Sequence, residues 1–422
     1  MTPDGWRRTS LGEIASLITK GESIQWQGAD YVPSGVPFLR TVNVRDGFLD
    51  LDGLKFVAQE VHSRMRRSQL SPGDLLISIA GTLGRACLLP ATIRNANINQ
   101  DLALVRFSRP DIAVSFVLHT ILGPEIQAQI DLISQGGTRN HLNLQQTGRL
   151  EFGLPPLPEQ CKIAAILSSV DEVIEGTQAV IDQLQVVKKA MMADLLTRGI
   201  PGRHKTFKQT EIGEVPVEWE IRPFADICSA IVDGVHKKPD YVREGIPFVT
   251  IKNLTAVEEG ISFEDLNYIS AEDHAQFTKR TRPERGDILL TKDGTLGIPR
   301  VVDTDRAFSI FVSVAVMKPI RSLIDSWFMR FALEAPAIAA HFGVVNAGMA
   351  LKHIHLVDLR ATPCPVPPIA EQREIADVLR SACSRIVAEK NHLAAVSSVK
   401  SALMSILLTG EVRVRVDEEA AA

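Results

Sequence analysis

LPPLPEQCKIAAIL (Leu154–Leu167) and VPPIAEQREIADVL (Val366–Leu379) are nearly the same phrase, written twice in one chain of 422 residues. Glu159-Gln160 and Glu371-Gln372 stand at an offset of 212 positions. Working outward, the copies keep step. Trp6 matches Trp219, and Val36-Pro37-Phe38 matches Ile246-Pro247-Phe248. Pro72-Gly73-Asp74-Leu75-Leu76 matches Arg285-Gly286-Asp287-Ile288-Leu289, and Gly81-Thr82-Leu83-Gly84 matches Gly294-Thr295-Leu296-Gly297. The offset drifts by a few residues, as small loop insertions produce. The chain is two copies of one module, in the order globule, helix, globule, helix.

After each proline-rich phrase a heptad begins. Its first seam is Ile163, Leu167, Val170, Ile174, Thr177, Ile181, Leu184, Lys188, Met191 and Leu195. The second is Ile375, Leu379, Ala382, Ile386, Glu389, Leu393, Val396, Lys400, Leu403 and Leu407. Steps of four and three alternate throughout, which is the spacing of a coiled-coil seam. Both seams turn polar at the same two rungs. The prolines belong before the helices, and only Gly176 interrupts an interior. Gly199 and Gly410 read as C-terminal stops.

Two helices that each follow a globule pack most simply on each other. Parallel packing sets Lys188 against Lys400; antiparallel packing lays each lysine stem on apolar rungs with its head in water. The expectation is an antiparallel pair about 50 Å long, at about 1.5 Å per residue, in a dumbbell with a pseudo-twofold axis. The competing arrangement packs each helix on its own globule. Expected boundaries are a globule over 1–154, a helix over 155–200, a globule over 201–365, a helix over 366–412 and a flexible tail over 413–422. Each globule reads as mixed α/β. Strands are expected in GVPFLRTVNV, GDLLISIAG, QDLALVRFS, GIPFVTIKNL and GDILLTKDG, and helices over Ser115 to Ile133 and Leu323 to Phe342.

Composition is that of an ordinary globular protein, 45% hydrophobic and 23% charged. No apolar run reaches the length of a membrane span, and the start carries no apolar signal core. Five scattered cysteines form no C-x-x-C pair, which argues against disulfide or zinc frameworks and for a cytoplasmic protein. Net charge is −4, so any nucleic-acid surface must be local. Basic clusters do recur at one place in both modules: Arg64, Arg66, Arg67 before Gly73-Asp74, and Lys279, Arg280, Arg282, Arg285 before Gly286-Asp287. Two polar loops, Ser134–His141 and Asn346–His353, carry groups that hydrogen-bond base edges.

Catalytic patterns are missing. There is no Gly-Lys for a phosphate-binding loop, no carboxylate two positions before any lysine, no Asn-Pro, no H-E-x-x-H and no G-x-S-x-G. His353 and His355 share an alternate spacing, but no third metal ligand is in view. A chain this long without a catalytic constellation reads as a recogniser or a scaffold.

On these residues the chain resembles the specificity subunit of type I restriction-modification enzymes. The P-P-L-P-E-Q-C-K-I-A and P-P-I-A-E-Q-R-E-I-A segments carry most of the likeness, each opening a helix that ends in Leu-Leu-Thr. The resemblance implies target-recognition globules that each read half of a split double-stranded DNA site. It implies a helix pair that sets the gap and docks two modification subunits, with restriction subunits joining the complex and no membrane involved. It implies a non-catalytic chain without cofactor, with S-adenosylmethionine, ATP and magnesium used only by partner subunits. Glu159, Gln160, Glu371 and Gln372 would then mark partner surfaces. Phosphate contacts are expected from Arg66, Arg67, Lys279 and Arg280. Base reading is expected from Arg40, Asn43, Arg85, Arg139 and Asn140 in the first copy, and from Lys237, Lys252, Asn253, Lys292 and Lys352 in the second. The alternatives are a recognition subunit of a methylation-only system and a protein scaffold that binds no DNA.

Overall fold

The computed structural model describes residues 3–135, 141–338 and 353–415. These fall into two compact units, Met1–Thr177 with His392–Ala422, and Gln178–Asn391. Both divisions lie inside long helices, Leu157–Arg198 and Ile369–Leu407. Each unit therefore takes one globule and a stretch of both helices. Of the expected tail, residues 416–422 lie outside those described.

The first unit is built on a four-stranded antiparallel sheet in the order Leu17–Lys20, Leu102–Arg106, Leu75–Ser78, Ala86–Leu88. Its strand Leu75–Ser78 is buried throughout, because both faces are covered. Leu75 and Ile77 face a core with Phe116, Ile121 and Leu167, while Leu76 faces another with Leu39, Ile98 and Leu104. That two-sided burial is why GDLLISIAG reads as an unbroken apolar run. A three-stranded sheet orders Lys55–Val57, Val36–Leu39 and Asn97–Ile98, the last pair parallel. Arg7–Ser10 pairs with Glu151–Leu154 just ahead of the first long helix.

The second unit repeats this plan. Its four-stranded sheet orders Cys228–Asp233, Val314–Pro319, Ile288–Thr291, Pro299–Val301. Asn267–Ile269, Ile246–Val249 and Ser309–Ile310 form the three-stranded sheet, and Glu220–Pro223 pairs with Pro363–Val366. A hairpin, Phe207–Thr210 with Gly213–Pro216, is added. The expected helix over Ser115 to Ile133 is two, Val114–Leu122 and Pro124–Gln135, because Pro124 has no N–H to continue the first. Its counterpart starts later than expected, at Ser326, where Asp325 Oδ1 accepts from Trp327 and Phe328 N–H.

Every seam position of both long helices is buried or partly buried, and none is exposed. Within the first unit Ile163 and Leu167 share a core with Met404 and Leu407; within the second, Leu195 shares one with Ile375 and Leu379. The start of one helix thus lies beside the end of the other in each unit, which is antiparallel packing. Both helices also pack on the globule of the unit, so the two expected arrangements are combined. Pro158 lies inside the first turn, where a missing N–H costs nothing. Gly199 (φ +74°) and Gly410 (φ +71°) end the helices in left-handed backbone. The seam lysines do not simply reach water: Lys400 Nζ lies 2.5 Å from Asp171, and Lys188 Nζ 3.8 Å from Glu334.

The Glu-Gln pairs, expected to mark partner surfaces, lie inside the units as brackets. Glu159, Gln160, Glu371 and Gln372 are no more than 3% exposed. Glu159 accepts from Trp6 Nε1 (3.1 Å) and pairs with Arg413 (2.6 Å). Glu371 accepts from Trp219 Nε1 (3.3 Å) and from Ile200 N (3.2 Å), and sits 2.8 Å from His204 Nε2. Gln160 ties Ala113 N, Asp111 O and Pro155 O; Gln372 ties Asp325 N, Leu323 O and Pro367 O. All four side chains are hydrogen-bonded inside their unit, as buried polar groups must be.

Candidate nucleic-acid interface

In each unit a fully buried strand, Leu75–Ser78 or Ile288–Thr291, leads toward the G-T-L-G turn, and a hydroxyl folds that turn. Ser78 Oγ donates to Thr82 O (2.5 Å) and accepts from Arg85 N (2.9 Å). Thr291 Oγ1 accepts from Ile298 N (3.0 Å). The end of the polar loop then returns to the same tip. His141 bridges to Ala80, and Leu142 N donates to Ile79 O at 2.9 Å. His353 bridges to Asp293, and Ile354 N donates to Lys292 O at 2.8 Å. Two segments separated by about sixty residues in sequence are thereby joined at one edge of each unit. Arg139, Asn140 and Lys352 belong to those polar loops in sequence and lie outside the described residues.

Around this tip the second unit gathers charge. Asp233 ends its strand and is 5% exposed. It accepts from Arg280 Nη2 at 2.5 Å, with His236 Nε2 at 3.5 Å and Lys292 Nζ at 3.6 Å. Burial pushes its carboxyl up, but the Arg280 hydrogen bond and the charges of Lys292, Arg280 and His236 outweigh that and hold it below the usual range. Arg280, Lys237 and His236 line a cavity of about 330 Å³, and Lys279 is exposed beside Arg280. In the first unit Lys20 takes the place of Asp233: it pairs with Ala103 as Asp233 pairs with Ala315. Arg67 Nε lies 3.8 Å from Glu22, two residues further on, and Arg66 is exposed.

Other expected site residues fall elsewhere. Asn43 is wholly buried: its Oδ1 accepts from Arg40 N (3.1 Å) and its Nδ2 donates to Asp50 O (2.9 Å). Asn253 is 6% exposed and accepts from Thr250 N (2.9 Å). Both close short helical turns, so as placed they cannot reach a base edge. Arg40 and Lys252 lie on those turns, Lys252 exposed and Arg40 donating from Nη2 to Gly53 O (3.1 Å). Lys292 is 4% exposed between Asp233 and Asp293, so it orients the tip rather than presenting its charge. Arg85 lines a cavity of about 500 Å³ with Asp46 and Lys400. Sequence reasoning missed Asp233 and His236, while His141 stood at the end of the polar loop it singled out. The signal for Asp233 was its repeat position, where the first copy carries the opposite charge.

Among the described residues no group of three His, Cys, Asp or Glu side chains could hold a metal ion, and no helix is long and apolar enough to cross a membrane. What the geometry defines is a duplicated module, a sheet with a polar tip mounted on long helices.

The type I restriction modification DNA specificity domain matches the chain twice, at residues 3–186 and 216–397. The chain belongs to that family, whose members are DNA target-recognition subunits of type I restriction-modification systems. It is 24% identical over 422 residues to the type I restriction enzyme MjaVIII specificity subunit of Methanocaldococcus jannaschii, covering 98% of this chain and 94% of that protein. It is 24% identical over 387 residues to the EcoBI specificity subunit of Escherichia coli, covering 88% and 78%. Its fold is that of the type I restriction-modification S subunit from M. genitalium, with a TM-score of 0.58 at 15% identity over 97% of this chain and 99% of that one. A chain from work on assembly and conformational transition of the type I R-M system gives 0.58 at 17% identity, covering 98% and 100%.

Proposed function

We propose that each unit reads one half of a split site in duplex DNA through its turn-and-loop tip. The observation that carries this reading is the pair of tips: one backbone, two different charge sets. Lys20 and Glu22 stand in the first where Asp233 and Val235 stand in the second, beside an arginine that both copies carry, Arg67 or Arg280. A bipartite site with unlike halves requires that combination. Arg66, Arg67, Lys279 and Arg280 are the phosphate-facing candidates, and Arg139, Asn140, Lys237 and Lys352 the base-reading ones.

The two long helices, of 42 and 39 residues, act as the ruler between half-sites. At about 1.5 Å per residue they are about 60 Å long. Two modification subunits dock on the duplicated helix surfaces, and restriction subunits join them. This chain is the non-catalytic reader; S-adenosylmethionine, ATP and magnesium serve the partners. Comparing methylation of host DNA with and without the gene tests the reading. Loss of a motif with two short halves around a fixed gap is expected, and no change overturns it. Lys237→Ala should relax the second half-site by about 1–3 kcal/mol and leave the first intact; equal losses at both halves would defeat the assignment.

A further inference from the structure

A cavity of about 890 Å³ in the second unit lies between its globule and its helix stretches. That volume is within the range of small-ligand sites. Its five cations are Lys188, Lys189, Arg300, Arg330 and Lys390. Its three carboxylates are already engaged. Arg330 is held by Glu259 (2.7 Å) and Glu334 (3.2 Å), Lys188 lies 3.8 Å from Glu334, and Lys390 pairs with Glu258. Two charges remain. Lys189 is exposed on the rim and makes no ion pair among the described residues. Arg300 is only 7% exposed, and its guanidinium meets just two backbone carbonyls, Val257 O (2.8 Å) and Pro299 O (3.0 Å). Its Nε has no acceptor.

Glu334, Glu259 and Glu258 act on Arg300 only from a distance, each paired with another cation; a buried cation without a direct ion pair is costly, and a guanidinium cannot escape by losing its proton. Nor does the fold demand it. The same register position in the first unit, opposite Leu76 as Arg300 is opposite Leu289, is Cys87, a neutral buried thiol. Beside the two spare charges the wall is apolar, with Met192, Ile298, Ile386 and Val387.

We propose that this cavity binds a small organic dianion with an apolar body, its two negative charges answering Arg300 and Lys189. Phosphomonoesters and dicarboxylates share that chemistry. The site does not depend on DNA reading, and its charge pair sits in one unit only: the equivalent cavity of the first unit has Ser401 in place of Lys189, and Cys87 stands in place of Arg300.

The test is calorimetric titration of the full chain with phenyl phosphate and with phenylmalonate, against inorganic phosphate and benzyl alcohol as the separate halves. One of the two dianions should bind once per chain with Kd below about 1 mM, and either half alone at least about tenfold more weakly. The stronger of the two identifies the class. Arg300→Met should weaken binding at least about tenfold. Should that variant not fold, Lys189→Glu on the rim should weaken it at least about threefold. No saturable binding by either dianion overturns the proposal. So does binding unchanged in the foldable variants, or binding displaced by duplex DNA, which would place the anion on the DNA surface instead.

Discussion

The two units share one backbone and differ in where they bury charge. In the nine-residue helices Val114–Leu122 and Ser326–Glu334, Leu118 answers Arg330 and His119 answers Phe331. On the neighbouring strand Cys87 answers Arg300. Burial pushes the Cys87 thiol up to about 12, so it packs as a small apolar group. In the second unit the same region holds two arginines and the carboxylates that grip one of them, Arg330. These positions therefore need volume for folding, and the charge is free to serve something else. The brackets are the opposite case: Trp6 with Glu159 repeats as Trp219 with Glu371, nearly atom for atom.

The sharpest way to break that comparison is to remove the brackets. Glu371→Ala strands His204 and Trp219 donors in a dry site and should cost the second unit about 3–5 kcal/mol. Glu159→Ala should cost less, because Arg413, 43% exposed, can return to water. Hydrogen exchange resolved by unit checks both; equal losses would mean the brackets do not carry the difference.

Acid should separate the units next. Burial drives His119 down to about 4 from 6.5; Asp171, 3.9 Å away, opposes this, and Lys400 assists it. The folded imidazole stays neutral over the window in which the unfolded one takes a proton. Its contribution is complete above pH 6.5 and disappears as pH falls toward 4, at most about 3 kcal/mol. His119→Phe, the residue of the second unit, should flatten the dependence of the urea midpoint on pH between those limits. An unaltered slope would remove His119 as the cause.

The smallest change concerns the helices. Gly176 stands where the second helix has Ala388, and a Cβ there would meet nothing within 4 Å. Gly176→Ala should therefore stabilise by about 0.5–1 kcal/mol in thermal melts. A loss would show that the glycine serves a contact at that rung.

The repeat and both helices were legible because a heptad seam survives substitution within its apolar class. The strands were legible because two-sided burial writes an unbroken apolar run, as in Leu75–Ser78. The Gly123-Pro124 break was also present in the letters, though the longer apolar period masked it. What the letters did not carry was burial of polar groups. Glu159, Gln160, Asn43 and Asn253 look like surface residues until their partners come into place: distant ones for Glu159 and Gln160, backbone of the same turn for Asn43 and Asn253. The basic clusters were visible as a run, whereas Asp233, which organises one of them, is a single letter.

In the second unit the first long helix passes through Gly199, Ile200 and His204 to Trp219 as one covalent stretch, and Glu371 fastens that turn. The first unit makes the same junction from separated parts of the chain. Arg413 donates to Asp4 O (2.6 Å) and grips Glu159, while Gly410 packs on Trp6. One junction is a peptide and the other is a clasp. Joining the chain across the clasp and opening it between Gly202 and Thr206 would yield a circular permutant with the two modules exchanged in order. Both Trp–Glu brackets would keep their residues, with Arg203 and His204 now beside the new terminus, so the linear order of the halves is a choice the fold leaves open.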